Sequence, residues 1–121
     1  MIIIIENCNI ASLQRFCHSA SCSSGWWDQD MTVDTVPAKL CLIHSEISEA
    51  MEGYRKDIMD DHLPSRKMVE VELADAVIRI LDLSGKLELD LMGAIKEKME
   101  YNSTRADHKR ENRKKEGGKK F

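Results

Sequence analysis

Aromatic residues make up only 5% of this 121-residue chain, which also has just six glycines and two prolines. An all-β sandwich consumes turn residues and large strand-forming side chains, so this composition argues against one. Long apolar runs are missing as well. A membrane-crossing helix takes about 20 consecutive apolar residues, and the opening Met1-Ile2-Ile3-Ile4-Ile5 run is closed by Glu6. With no basic residue ahead of it and too few residues for a secretory signal, that run reads as a short strand or a staple onto the body. Cys8, Cys17, Cys22 and Cys41 form no Cys-x-x-Cys pair. Without a signal, reduced and buried thiols in the cytoplasm are the expectation. His18 and Cys22 lie four apart on one helix face, but two ligands do not close a tetrahedral zinc site, and packing is the better reading. There is no glycine-rich phosphate loop, no Ser-His-Asp order and no thiol with supporting neighbours, which argues against covalent catalysis.

What is present is charge, and it is uneven. Charged residues make up 32% of the chain and the formal net charge is −3. Residues 107–121 carry a balance of +4, which leaves −7 on residues 1–106. Ten acids fall between Glu46 and Asp82. The chain therefore divides into an acidic domain, 1–106, suited to cations, and a basic tail, 107–121, expected to be flexible because apolar residues almost vanish there.

Apolar spacing predicts helices. Ile10, Leu13, Phe16 or Cys17, and Ala20 recur at helical intervals after Asn9, a good N-cap. A loop over residues 23–35 holds Trp26-Trp27 in polar surroundings. Asp34 or Thr35 can cap a second helix, with Pro37 in its first turn and a stripe of Leu40, Ile43, Ile47, Ala50, Met51 and Tyr54 running to about Asp57. Ser65 can cap a third, built on Met68, Val71, Ala74, Ile78 and Leu81 and stopped at Gly85. A fourth, from about Leu87 to Arg105, turns Leu91, Ala94 or Ile95, and Met99 inward. The fold class is all-α: an antiparallel bundle of about four helices joined by short links.

Two of these helices carry carboxylates three residues apart, Glu46 and Glu49 on the second, Glu72 and Asp75 on the third. Residues i and i+3 share a helix face. At about 1.5 Å per residue, an antiparallel hairpin sets Glu49 level with Glu72 and Glu46 level with Asp75. Both pairs are embedded in apolar sequence rather than in Lys/Glu alternation, so they do not read as an ordinary solvated face. Crowded carboxylates raise one another's pKa unless a cation sits between them. All-oxygen ligands suit Mg²⁺ first and Mn²⁺ as a substitute. A di-iron site needs Glu-x-x-His, which His44 does not supply. On the fourth helix Lys98, Asn102 and Arg105 form a narrow i, i+4, i+7 stripe. A polyphosphate could lie between such a stripe and the acidic ridge.

The ordered set Glu46-Ile-Ser-Glu49, Glu72-Leu-Ala-Asp75 and Lys98-Met-Glu-Tyr-Asn102-Ser-Thr-Arg105 resembles the MazG-like nucleoside triphosphate pyrophosphohydrolases. Lys39-Leu-Cys-Leu-Ile-His-Ser before the first pair, and the Glu-Leu-Ala-Asp-Ala-Val-Ile-Arg stretch around the second, extend the likeness over roughly residues 26–105. The resemblance implies an all-α fold completed by a second subunit, as a homodimer or homotetramer. It implies Mg²⁺-dependent cleavage of an NTP or dNTP to the monophosphate and pyrophosphate, in nucleotide-pool sanitation or turnover. By position, Glu46, Glu49, Glu72 and Asp75 would be metal ligands, with Glu46 or Glu49 as general base, and Lys98, Asn102 and Arg105 would hold the phosphates. The charged stretch after Arg105 departs from the compact ending the family leads one to expect. Trp26 and Trp27 could stack on a base or pack against the body, and Lys39 could reach a phosphate or lie exposed. Two rival classes stand beside the enzyme: a non-catalytic metal–nucleotide module, and a nucleic-acid binder using the tail. Neither a membrane nor a nucleic-acid partner is expected, because the body is acidic and no reading motif accompanies the tail.

Overall fold

The computed structural model describes residues 8–121, so the expectation for the Met1–Ile5 run lies outside the described residues. The described chain is all-helical: α1 (Ile10–Ser23), α2 (Thr35–Lys56), α3 (Met68–Lys86), α4 (Leu91–Thr104), a single 3₁₀ turn (Ala106–His108) and a one-turn α5 (Arg110–Arg113). Among the described residues there is no strand, only an isolated antiparallel bridge between Met59 and Lys67. Among the described residues no helix is long and apolar enough to cross a membrane. The chain forms two compact units, parted between Leu89 and Asp90.

In the first unit α1 starts as its sequence predicts. Asn9 accepts from Ser12 N–H while the Ser12 side chain returns to the Asn9 backbone, which closes a capping box. The second start differs in detail: Asp34 occupies the cap position of α2 without a side-chain bond. Thr35 Oγ1 instead accepts from Thr32 N–H. The helix ends at Asp57, whose φ of 48° is left-handed. Between Asp57 and Met68 the chain is stitched by the buried Asp60 carboxylate, which accepts from the N–H groups of His62 and Leu63. That stitching moves the start of α3 three residues past Ser65, so Ser65 is not its cap.

The helix α3 is the centre of this unit and is flanked by both others. Gly53 of α2 faces Met68, and Arg79 reaches Glu46, so α2 and α3 run antiparallel. Ser21 and His18 of α1 meet Asp82, and Gln14 donates to the Leu89 carbonyl, so α1 is antiparallel to α3 as well. Gly85 does not stop α3, which runs on to Lys86. It is glycine because α1 comes so close: a Cβ there would lie 2.6 Å from the Cβ of His18. Among the described residues the buried apolar side chains are Cys17, Ala50, Ala76, Leu81 and Leu83. Of the four cysteines only Cys17 is buried; the expectation of buried thiols fails for Cys8, Cys22 and Cys41, all of them free.

In the second unit α4 begins later than expected. Glu88 takes a φ of 54°, and Leu89 N–H bonds back to the Ser84 carbonyl. Asp90 then caps the new helix by accepting from Gly93 N–H. None of the α4 residues is fully buried, so the inward face expected for Leu91, Ile95 and Met99 is not a core. The basic tail is not structureless. Asn112 donates to the Ala106 carbonyl and the Arg113 guanidinium to the carbonyls of Lys119 and Lys120.

Candidate metal centre and its cleft

Antiparallel pairing of α2 and α3 brings the carboxylates together as the spacing requires. One oxygen from each of Glu46, Glu72 and Asp75 lies within 4.8 Å of the others. Glu49 stands beside this cluster and exchanges contacts with Glu46 and Glu72, but it is exposed and outside the close group. The antiparallel levels thus hold for the whole set, while only three of the four acids converge. Glu49 is a turn farther along α2, where its side chain turns toward solvent.

Crowding sets the charge state. Burial, then shared contacts with Glu46 and the charge of Glu49, push the Glu72 carboxyl up to about 7. Asp75 is raised by burial and by Glu46, with Asp60 adding to the effect and Arg79 opposing it. Glu46 goes the other way. Burial acts to raise it, but the Arg79 Nε, donating at 2.6 Å, together with its contact to Glu72, holds it below the ordinary carboxylate range. One guanidinium thus compensates one acid of the group and leaves the other oxygens facing one another. This donor set fits a hard divalent cation: oxygen-only, crowded and short of positive charge.

The cluster opens onto a cleft of about 620 Å³. Its floor is one face of α3, with Asp75, Ile78, Arg79 and Asp82; its walls come from α1 (Phe16, Cys17, Ala20, Ser21) and α2 (Lys39, Leu42, Glu46). Trp26 and Trp27 close one side from the loop after α1. The sequence reading left Arg79 and Asp82 without roles. Their signal was the spacing Glu72, Asp75, Arg79, Asp82, a polar stripe along an otherwise apolar helix.

Asp82 is a hub. Its oxygens accept from Trp27 Nε1, Ser21 Oγ and His18 Nδ1, each at 2.8 Å. Cys22 Sγ lies 3.5 Å from His18 Nε2. The same imidazole thus joins Asp82 through Nδ1 and Cys22 through Nε2. The two tryptophans differ sharply. Trp27 is fixed by Asp82, and its ring carries the Lys39 ammonium 4.6 Å and the Lys86 ammonium 5.3 Å from the centroid. Trp26 is 71% exposed, and its face is the free one.

Lys98, Asn102 and Arg105 lie in the second unit. There the Lys98 ammonium sits 4.7 Å from the centroid of the Tyr101 ring. Arg105 forks onto Asp107 at 2.7 and 3.0 Å. Asn102 Oδ1 is buried without a hydrogen-bond partner, which leaves a polar group to be satisfied. Comparison with protein-family profiles, curated proteins and solved structures finds no match for this chain.

Proposed function

We propose that this chain is a MazG-like, Mg²⁺-dependent hydrolase that cleaves a nucleoside or deoxynucleoside triphosphate to the monophosphate and pyrophosphate. The observation that carries the reading is one cleft with two kinds of wall. Glu46 and Asp75, which belong to the carboxylate cluster, line the same space as the two tryptophans. A metal–phosphate group and an aromatic base need such a pairing, since an indole face accepts any base by stacking. Trp26, with its open face, is the better platform.

Mg²⁺ held by Glu46, Glu72 and Asp75, with Glu49 beside them, would supply neutralisation of the phosphate oxygens and a lowered pKa for water. Glu49 is the general base. It is exposed beside the cluster and has no arginine on it, whereas Glu46 is held by Arg79 and is a poor proton acceptor. The water oxygen attacks the α-phosphorus, Glu49 takes its proton, and the bond to the leaving pyrophosphate breaks. Lys98, Asn102 and Arg105 are proposed as phosphate contacts. Arg105 would trade Asp107 for phosphate, and bidentate geometry suits guanidinium to both.

The active form is proposed to be a homodimer or homotetramer. Ile47, Met51 and Tyr54 of α2, and Leu73 and Val77 of α3, are all exposed, and they make large apolar faces on adjacent helices. A panel of nucleoside triphosphates assayed for pyrophosphate release with and without Mg²⁺ tests the reading. Mg²⁺-dependent release is expected; release of orthophosphate alone, or none from any nucleotide, refutes it.

A further inference from the structure

We propose that Lys39 is a phosphate-contact residue of the cleft and that Asp82 and Trp27 are the positioning residues that aim it. This deepens the proposed nucleotide reading and rests on it. Two cations line the cleft, Arg79 and Lys39. Arg79 is committed to Glu46 at 2.6 Å. Lys39 has no carboxylate partner among the described residues; its ammonium rests on the Trp27 ring instead. Lysine normally settles on an acid or in water, and a half-buried ammonium left beside an indole stays available to an incoming anion.

Trp27 is not a loose loop side chain. Its N–H is fixed on Asp82, whose other contacts come from α1, so the ring is tied to α1 and α3 at once. The ammonium is therefore held in place before a ligand arrives, which lowers the entropy cost of binding. Lys39 stands seven residues before Glu46 on α2, about 10.5 Å along the helix, on nearly the same face. A phosphate chain with one end at the carboxylate cluster extends along the cleft toward this charge. Since the ring of Trp27 is occupied by ammonium groups, its role is to hold Lys39, and stacking falls to Trp26.

The test compares wild type with Lys39→Ala, Lys39→Met, which keeps the stem on the indole without the charge, and Lys39→Arg. Two readouts are taken: KM for each hydrolysed nucleotide, and calorimetric binding of inorganic tripolyphosphate with Mg²⁺. A charge-assisted contact to phosphate is lost with the ammonium, so KM should rise roughly tenfold or more in the Ala and Met variants. The rise should be similar for all bases, tripolyphosphate binding should weaken in step, and Lys39→Arg should recover most of both. The KM of the Ala variant should also respond less to added salt. A KM within twofold of wild type overturns the proposal, as does a loss confined to one base with tripolyphosphate binding intact. If wild type hydrolyses no nucleotide, the functional reading fails, and tripolyphosphate binding decides Lys39 by itself: binding lost on removing the charge supports it, and no wild-type binding overturns it. For the positioning claim, Trp27→Leu should raise KM, and Trp27→Leu combined with Lys39→Ala should be no worse than Lys39→Ala alone. Additive losses would show Trp27 acting independently.

Discussion

At the residue scale, the decisive group is Glu72, whose carboxyl is pushed up to about 7 from an ordinary value of 4.5. A raised folded-state value means the folded protein holds this proton more tightly than the unfolded chain. Without divalent cation, its contribution to stability is therefore full below about pH 4.5 and is lost as pH rises through about 7. Mg²⁺ competes for the same oxygens, so its affinity should climb across that window and its addition should flatten the fall in thermal midpoint. Glu72→Gln should flatten it as well, with no metal present. A midpoint that rises between pH 5 and 7 in the metal-free protein would contradict this. Catalysis gives a separate handle. Glu49→Gln removes the proposed base and Asp75→Asn a ligand, and each should lower turnover by about 10²-fold or more while the far-ultraviolet helical signal stays native. Retention of most activity would refute the assignment of that residue.

At the element scale, the arrangement depends on how closely α1 and α2 approach α3. Gly85 shows the sign of the effect. In an open helix Gly→Ala is stabilising by up to about 1 kcal/mol, but here the added methyl meets His18 Cβ at 2.6 Å. Overpacking of this kind costs about 1–3 kcal/mol, so Gly85→Ala should lower the thermal midpoint rather than raise it. Asn9→Ala should cost about 1 kcal/mol through the lost cap, measurable by urea unfolding. The helices themselves were legible because their signals are local: Asn9 caps α1, and an apolar stripe defines α2. The misplaced ends have non-local or unusual causes. Residues 57–67 are organised by the buried Asp60, and Glu88 takes a left-handed backbone that no glycine announced.

At the scale of the whole molecule, the apolar faces of α2 and α3 lead to a prediction about assembly. Sedimentation should report a dimer or tetramer, and Met51→Lys, at a side chain that is 60% exposed, should shift it toward monomer. Truncation after Asp107 removes most of the basic tail and should leave pyrophosphate release intact; its loss would make the tail part of the machinery. The amino-acid sequence by itself determined that the chain is helical and that Glu46, Glu49, Glu72 and Asp75 come level across the α2–α3 hairpin. Periodicity along a helix and short-link antiparallel pairing are enough for that, because both follow from fixed rise and twist. That Glu46, Glu72 and Asp75 converge and Glu49 stands outside is a matter of side-chain direction the spacing does not give. The tertiary structure alone decided that Arg79 takes Glu46, that Asp82 gathers groups from α1 and the tryptophan loop, and that Lys39 rests on an indole. These contacts join residues some 12 to 64 positions apart. Arg79 meets Glu46 across the α2–α3 hairpin, where helical register sets the level but not the partner a side chain takes. The others come from the packing of α1 and its following loop against α2 and α3, which no local pattern encodes.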